Sequence, residues 1–323
     1  MITARGLRRS FAVRGRTVEA VRGVDFDIGA GEIAAFLGPN GAGKTTTVRM
    51  LTTLLRPTGG QAVVAGKDLL ADQRGVRRRI GCVAQGHGSA PDHQVREQIE
   101  LQARIYGADK ATAAAQAEKL MGELELSGLD KRVAKTLSGG QRRRLDLALG
   151  LVHTPRLVFL DEPTTGLDPQ SRANLWAHIA DLRAQRGATV FLTTHYLDEA
   201  DALADRVFIM DNGTIVASGT PEELKSQVAD DRITIGVPDH QRPRASAAVI
   251  ALPGVSQVAA TVAGLDFRVA NGDALLVPLL RELDFAGVTA TSVEVRRPTL
   301  DDVFLTLTGR SLREGAATVG AGR

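Results

Sequence analysis

The chain is poor in cysteine and in long apolar runs. Cys82 is its single cysteine among 323 residues, which excludes an internal disulfide and a zinc site built from cysteines. Even the apolar stretch from Ala247 to Gly264 is interrupted by Pro253 and Gly254, so no run reaches the roughly 20 residues that a membrane helix needs. The opening residues, MITARGLRRSF, lack the apolar core of a signal peptide. We therefore expect a protein of a reducing compartment that reaches a membrane only by docking.

Charge is close to balanced. Lysine and arginine together exceed aspartate and glutamate by 3, and this excess is too small to indicate a nucleic-acid partner. The clusters Arg77–Arg79 and Arg142–Arg144 are interpreted as solvated helix faces or contacts between subunits. Five histidines show no metal-ligand spacing with one another and are not candidate ligands. They are His87, His93, His153, His178 and His240.

Secondary-structure patterns predict two domains and a tail. Apolar runs rich in strand formers alternate with helical patterns through about residue 220, which predicts an α/β domain over 1–221 with a largely parallel sheet. Within it, residues from about 86 to 154 are rich in Ala, Gln, Glu, Lys and Arg, so we expect a mostly helical subdomain there. Short alternating patterns over 222–310 predict a small α+β accessory domain and suggest a ferredoxin-like arrangement. The glycine-rich residues 311–323 are predicted to be disordered.

The segment GPNGAGKT fits the GxxxxGK[ST] phosphate-binding pattern, with a strand predicted before it at Ile33–Leu37 and a helix predicted from Lys44. Its glycines let backbone N–H groups turn toward phosphate oxygens, and the new helix presents its positive end to the same charge. Lys44 is placed to reach the β- and γ-phosphates of ATP, and Thr45 to bind Mg²⁺. The predicted nucleotide-binding residues are Gly38, Pro39, Asn40, Gly41, Ala42, Gly43, Lys44, Thr45 and Thr46.

A second motif ends in two acids. Leu157–Glu162, LVFLDE, is predicted as an apolar strand, and carboxylates at its end are costly to bury unless they meet a metal ion or water. Because neighbouring side chains on a strand point to opposite faces, Asp161 is placed to hold Mg²⁺ through water and Glu162 to polarise an attacking water. Alone, an Asp-Glu pair would more simply be a helix cap or a solvated turn. The phosphate-binding segment favours the catalytic interpretation.

Further motifs follow in order along residues 1–220. They are Gln85 in CVAQ, LSGGQ at Leu137–Gln141, GLDP at Gly166–Pro169 and His195 in TTHYLDEA. Together with the phosphate-binding segment and LVFLDE, they give the chain a resemblance to the ATP-binding-cassette (ABC) family. The resemblance implies a P-loop NTPase fold with a helical signature subdomain, ATP hydrolysis, and a pair of chains that sandwiches each ATP.

The resemblance also implies roles for single residues. Glu162, His195 and Gln85 would be catalytic: His195 holds the γ-phosphate and the acid in register, and Gln85 touches Mg²⁺ and the lytic water. Phe11 stands where the family places a ring that stacks on adenine, although tyrosine is commoner there and a core phenylalanine is the alternative. Asp168 would link the two ATP sites. The residues that complete the ATP site of the opposite chain would be Ser138, Gly139, Gly140 and Gln141.

Two longer stretches narrow the resemblance. VREQIELQARIYG and PTLDDVFLTLTGR are similar to the ATPase subunits of daunorubicin-resistance type drug exporters, which act beside a separate membrane protein. This implies a transmembrane permease partner, a homodimer or paired cassette, and a place at the cytoplasmic face of the membrane, with docking through Gln85–Glu97. The chain departs from this group at PDHQVRE, where His93 and Gln94 replace a leucine-threonine pair, and this leaves the identity of the partner open.

Two other classes fit the motifs less well. An importer subunit would have a neighbouring gene for a substrate-binding protein. A soluble cassette ATPase that acts on ribosomes or DNA would carry two cassettes or a long coiled coil, whereas only a short helical segment separates Gln85 from Ser138 here. We therefore predict an exporter ATPase that uses ATP and Mg²⁺ and has no nucleic-acid partner.

Overall fold

The computed structural model describes residues 1–13, 15–86, 88–227, 230–261 and 264–309. The tail over 311–323, for which disorder was predicted, lies outside these residues, as does His87. Contacts within the chain define two compact units, Met1–Pro221 and a second one that begins at Glu222.

The first unit combines strands and helices along its whole length. Its strands are β1 (Ile2–Val13), β2 (Arg16–Ile28), β3 (Ile33–Leu37), β4 (Gly59–Val64), β5 (Lys67–Asp68), β6 (Ile80–Val83), β7 (Leu157–Asp161), β8 (Thr189–Thr194), β9 (Arg206–Asp211) and β10 (Thr214–Gly219). The helices up to residue 226 are α1 (Lys44–Leu51), α2 (Gln73–Arg77), α3 (Val95–Ile105), α4 (Lys110–Glu123), α5 (Gly139–Leu151), α6 (Pro169–Arg186), α7 (Leu197–Leu203) and α8 (Pro221–Ser226).

The central sheet has the strand order β10-β9-β3-β8-β7-β6 and is parallel except for β10 at its edge. Every residue of β3, β7 and β8 is buried, as expected for a parallel sheet that is covered on both faces. Parallel strands end at one common edge, where Leu37 pairs with Thr194 and Asp161 with Thr193. This edge therefore brings together the segments that follow β3, β7 and β8, which are far apart in the sequence.

A second sheet in the first unit was not predicted. Strands β2-β1-β4-β5 pair antiparallel in that order. In β2, Val24, Phe26 and Ile28 are buried while their neighbours are more exposed, so one face of this sheet is solvated and the strands do not form apolar runs. The buried face joins the central sheet, because the ring of Phe26 lies 5.0 Å from that of Phe36 in β3, centroid to centroid.

The region expected to be mostly helical holds α3, α4 and α5. Helices α3 and α4 pack against each other, and α4 buries the small side chains of Ala113 and Ala117 together with Leu120. Asp109 caps α4 by accepting the N–H of Thr112 at 2.7 Å. Short side chains on this face let the two helices approach closely. In the described parts of the chain, every helix is too short or too polar to cross a membrane.

The second unit is a four-stranded antiparallel sheet with helices. It contains β11 (Asp231–Gly236), α9 (Arg242–Ala251), β12 (Ser256–Ala260), β13 (Gly264–Val269), α10 (Gly272–Phe285), β14 (Ser292–Arg296) and α11 (Leu300–Thr308). The strand order β12-β13-β11-β14 is that of a ferredoxin-like βαββαβ unit. Its core is formed by one face of the sheet with α9 and α10, through residues such as Phe267, Val249 and Leu279.

The single cysteine, Cys82, is only partly exposed and yields a testable expectation. Burial raises the pKa of its thiol to about 11, with a further contribution from the charge of Asp161. Since the thiolate is the reactive form, alkylation of the folded protein by iodoacetamide at pH 8 should be roughly 100-fold slower than in denaturant. The check is the rate of label incorporation by mass spectrometry. Equal rates in the folded and unfolded protein would show that the thiol titrates normally.

Candidate functional site

The loop after β3 passes so close to neighbouring backbone that two of its positions accept only glycine. A Cβ atom on Gly38 would lie 2.2 Å from the carbonyl oxygen of Met210, and one on Gly43 would lie 2.5 Å from that of Ala20. Gly43 also has a φ of 105°, in the left-handed region that side chains disfavour. These two glycines let the chain turn directly from the end of β3 into α1.

The first turn of α1 faces a cavity of about 360 Å³. No side chain of the described residues caps this helix, and its first turn has no acid, so its backbone N–H groups and the positive end of its dipole can serve an anion. The cavity is lined by Ala20, Asn40, Gly41, Gly43, Lys44, Thr45, Thr46, Gln85 and Glu162. Behind it, buried Ala42 donates its N–H to the carbonyl of Pro39 at 3.2 Å. This geometry fits the phosphates of a nucleotide.

Lys44 supports the loop from inside. Its side chain is 4% exposed, and its Nζ donates to the carbonyl oxygens of Gly38 at 2.7 Å and Pro39 at 3.1 Å. Nζ also lies 3.6 Å from Oε1 of Glu162. Burial lowers the pKa of Lys44, and the negative charge of Glu162 opposes that shift. The ammonium group is thus held at the cavity, next to a carboxylate that balances its charge.

Asp161 ends β7 beside two hydroxyl groups. Its Oδ1 accepts hydrogen bonds from Thr45 Oγ1 at 3.0 Å and from Thr193 Oγ1 at 2.5 Å. A hydroxyl and a carboxylate side by side are oxygen ligands of the kind that Mg²⁺ takes together with phosphate. Within the described residues, no three His, Cys, Asp or Glu side chains form a metal site. Thr45 and Asp161 therefore suit an ion shared with a nucleotide better than one enclosed by protein.

Glu162 is held at both its backbone and its carboxylate. It has a φ of 47°, a left-handed conformation that is costly for a non-glycine residue and is often found at functional sites. Its N–H donates to the carbonyl and hydroxyl oxygens of Thr193. Its carboxylate accepts Gln85 Nε2 at 3.0 Å and lies 3.4 Å from His195 Nδ1.

The charge state of Glu162 follows from these contacts. Burial by itself raises the pKa of the carboxyl group, but the approach of His195, the charge of Lys44 and the hydroxyl of Thr165 outweigh burial and hold the pKa below its ordinary value. Glu162 is therefore ionised at neutral pH. A carboxylate oriented by an amide and an imidazole beside a phosphate cavity can orient and deprotonate a water molecule.

The LSGGQ residues start α5 on a separate surface. Ser138 caps α5 in a capping box with Gln141, whose N–H it accepts at 3.2 Å. Gly140 lies against α6, where a Cβ atom on it would meet Ser171 Oγ at 2.7 Å. Ser171 is held by Asp168, which caps α6 through two hydrogen bonds of 2.9 and 2.7 Å. Thus the exposed Ser138 and Asp168 lie on either side of the buried contact between Gly140 and Ser171. None of Ser138, Gly140 and Asp168 lines the cavity at α1.

Phe11 lies on β1, opposite Val18 of β2. Its ring is partly buried and carries the guanidinium group of Arg9 at 4.6 Å from its centroid. Strand β2 also supplies Ala20 to the cavity at α1, and Ala20 is two residues along β2 from Val18, the partner of Phe11. The described lining does not include Phe11 itself, and its contact with adenine stays a prediction.

Arg143 was missed. Its interpretation as a solvated or intersubunit residue is wrong, because it is 6% exposed and its guanidinium group is enclosed by backbone. It donates to the carbonyl oxygens of Ala84 at 3.0 Å, Gly86 at 2.8 Å, Asp161 at 3.2 Å and Pro163 at 2.7 Å. These carbonyls flank Gln85 and Glu162. The helical spacing of Arg143 with the buried Leu147 and Leu151 could have indicated an inward-facing position.

Comparisons with known proteins agree with this geometry. The model of the ABC transporter family matches residues 21–165, and that of the C-terminal domain of DrrA1-3-like ATP-binding proteins matches residues 219–308. The chain is 42% identical over 302 residues to the daunorubicin resistance ATP-binding protein DrrA3 of Streptomyces coeruleorubidus, covering 92% of this chain and 94% of that protein. It is 33% identical to the Nod factor export ATP-binding protein I of Ralstonia nicotianae over 97% of this chain and 95% of that protein.

A solved structure shows the same fold. The ATP-binding cassette MJ0796, in a dimeric post-hydrolysis state bound to ADP and Pi, aligns with a TM-score of 0.64 at 23% identity, over 68% of this chain and 98% of that one. The chain belongs to the ATP-binding proteins of ABC transporters. The predictions of a P-loop α/β fold, ATP binding, ATPase activity and an exporter subunit are confirmed, and an importer or a ribosome- or DNA-directed ATPase is not favoured. The roles of single residues stay predictions.

The position of Arg143 predicts a loss of turnover without a loss of ATP binding. Arg143→Gln removes the bonds that fix the backbone on both sides of Gln85 and Glu162, while the loop around Lys44 is untouched. We expect kcat to fall about 10- to 100-fold, with little change in KM for ATP.

Steady-state ATPase kinetics test this expectation, with Arg104→Gln on the exposed surface of α3 as the control. Fluorescence of the single Trp176 reports whether the variants are folded. Arg143→Lys should recover part of kcat, because a lysine retains some of the donors. An unchanged kcat in folded Arg143→Gln would show that the carbonyl contacts do not position the site.

Proposed function

We propose that this chain couples hydrolysis of Mg²⁺-bound ATP to the export of a lipophilic, drug-like compound through a separate transmembrane permease, at the cytoplasmic face of the cell membrane. The observation that carries this proposal is the ionised Glu162 carboxylate, held by Gln85, His195 and Lys44 at the rim of the phosphate cavity. The cargo is inferred from the relatives, which are named for daunorubicin resistance and Nod factor export.

The residues of the site divide the reaction among them. The N–H groups of the first turn of α1 and the ammonium of Lys44 bind the β- and γ-phosphates. Mg²⁺, held by Thr45 and Asp161, would neutralise charge on these phosphates. Glu162 orients a water molecule for attack on the γ-phosphorus and accepts its proton as the bond from phosphorus to the bridging oxygen breaks, which releases ADP and phosphate.

The separate LSGGQ surface supports the pairing of two chains. Ser138 and Gly139 are exposed at the start of α5, where backbone N–H groups and the helix dipole favour an anion. Because these groups do not line the chain's own cavity, we propose that they complete the cavity of a second copy. The exposed carboxylate of Asp168, next to the same helix start, would then lie at the junction of the two sites.

Glu162→Gln should bind ATP and fail to hydrolyse it. The phosphate loop and Thr45 remain in place, whereas loss of the general base should slow turnover about 10²- to 10⁴-fold. ATP should then accumulate a dimer, detected by light scattering together with a phosphate-release assay. Glu222→Gln, at an exposed position of α8, is the control. Turnover at the parental rate, or a monomer in the presence of ATP, would contradict the role of Glu162.

A groove beside the nucleotide site supports docking of a permease. It has a volume of about 320 Å³ and is lined by residues that include Leu54, Cys82, Ala84 and Tyr106. Leu54 is 68% exposed and the nearby Ile105 of α3 is 69% exposed, so apolar surface is available to a partner. Ala84 directly precedes Gln85 in the sequence. A permease segment bound in this groove would therefore contact the backbone next to Gln85, the residue proposed to touch the lytic water.

We place the proposed docking contact at this groove and not at the charged end of Gln85–Glu97. Arg96 is engaged within the chain, where it donates to Asp130 Oδ1 and forms ion pairs with Glu100 and Glu118. Reversing its charge would leave these acids without their partner. The apolar groove is the better test site, because its exposed side chains contribute little to the core.

Leu54→Asp combined with Ile105→Asp should uncouple the chain from its permease. Burying two carboxylates against an apolar partner is costly, so membrane recruitment and transport of a lipophilic probe such as doxorubicin should be lost, while ATPase activity of the chain alone persists. Phe285→Asp, at a position that is 90% exposed on α10, is the control. Normal transport by the double variant in cells that also express the permease would exclude this groove as the docking site.

A further inference from the structure

Three arginines lie side by side on adjacent strands of the sheet in the second unit. Arg232 of β11 pairs with Arg268 of β13 on one side and with Arg296 of β14 on the other. Directly paired residues of antiparallel strands point to the same face with Cβ atoms about 4.5–5.5 Å apart, and like charges in this position destabilise a sheet. This arginine row (Arg268, Arg232 and Arg296) is therefore a feature that the fold itself does not require.

The arginine row borders a cavity. The neighbouring residues Ile233, Phe267 and Val295 alternate with the row and belong to the core on the other face of the sheet. The cavity has a volume of about 380 Å³, and α11 forms part of its wall. Besides the arginine row, the lining consists of Asp230, Arg297, Pro298, Asp302, Leu305 and Thr306. All of these residues lie in the second unit.

Most of the acids near the arginine row are already engaged. Asp266 accepts Arg232 Nε at 2.6 Å and Thr234 Oγ1 at 3.0 Å. Asp302 lines the cavity, but its Oδ2 accepts both the N–H and the hydroxyl of Thr299 at 2.8 Å in the cap of α11. Neither carboxylate accepts a described hydrogen bond from Arg268 or Arg296.

The guanidinium groups of Arg268 and Arg296 are not engaged by these acids. In residues 230–261 and 264–309, Arg268 and Arg296 form no ion pair, whereas Arg232 pairs with Asp266 and Arg297 with Asp273. The pKa of Asp302 is lowered overall. Burial raises this pKa and is the largest single effect, but the hydrogen bonds from Thr299 and the charges of Arg296 and Arg268 together outweigh it. Both arginines therefore act on the cavity, and the exposed Asp230 is the only lining acid for which no hydrogen bond is described.

We propose that the arginine row binds the phosphate group of an anionic ligand, with Arg268 and Arg296 as its principal donors. Guanidinium groups match phosphate oxygens in bidentate, charge-assisted pairs. The cavity volume of about 380 Å³ leaves room for more than a phosphate ion. The ligand that we propose therefore carries its phosphate on a larger molecule, either a soluble phosphorylated metabolite or an anionic phospholipid headgroup. The site lies in a different unit from the nucleotide cavity and does not depend on the hydrolytic roles proposed above.

Calorimetric titration of the full chain with inorganic pyrophosphate tests the soluble source. The phosphate loop also binds pyrophosphate, so the wild type should show two sites. Lys44→Ala should retain the site in the second unit, and Arg268→Gln/Arg296→Gln should retain only the phosphate loop, with affinity at the other site lowered at least about tenfold. Arg244→Gln/Arg281→Gln removes the same charge from exposed positions of α9 and α10 and should retain both sites.

Sedimentation with vesicles tests the lipid source. Binding to phosphatidylglycerol vesicles but not to phosphatidylcholine vesicles, lost in Arg268→Gln/Arg296→Gln and kept in Arg244→Gln/Arg281→Gln, would assign the phosphate to a lipid. Relief of like-charge repulsion predicts that the first double variant unfolds at the wild-type temperature or above, and Arg296→Gln alone provides a second test if it does not. The proposal is overturned if neither probe distinguishes the arginine-row variants from the control.

Discussion

Two carboxylates at the end of the fully buried strand β7 are the constraint on which the rest of the first unit depends. Burial of an ion costs several kcal/mol unless charged or hydrogen-bonding partners surround it. Asp161 is surrounded by the hydroxyls of Thr45 and Thr193, and Glu162 by Lys44, Gln85 and His195. Each of these partners stands at or just beyond the carboxyl end of a neighbouring strand, or in the first turn of α1. The parallel sheet is thus the scaffold that makes the two buried charges tolerable.

Arg143 extends this network beyond the sheet. Its guanidinium group joins the first turns of α5 to the backbone on both sides of Gln85 and Glu162. A buried arginine is stable only when its donors are satisfied, and here backbone carbonyls satisfy them. The helix that starts at the LSGGQ residues and the segment that adjoins the apolar groove are consequently held by the same side chain. A shift of α5 would therefore move the backbone at Gln85 and at Glu162 together.

The two units use their sheets in different ways. The parallel sheet is covered on both faces, so its functional groups gather at the strand ends. The antiparallel sheet of the second unit buries one face under α9 and α10 and leaves charged side chains on the other. A ligand for this unit would meet the face of the sheet, where strand register decides which side chains stand together. The ferredoxin-like order β12-β13-β11-β14 is what places Arg232 between Arg268 and Arg296.

The sequence by itself determined the features that depend on residues close in the chain. The phosphate loop follows from glycines and a lysine within GPNGAGKT, the paired acids from an apolar strand that ends in Asp161 and Glu162, and the second unit from its alternating segments. Only the tertiary structure decided the burial of Arg143, the antiparallel sheet built on β1 and β2, and the arginine row. These features depend on segments that are distant in the sequence and on strand register. A local pattern carries no information about which backbone carbonyls will surround a guanidinium group, or which strand will lie beside another, because the packing of the whole unit sets both.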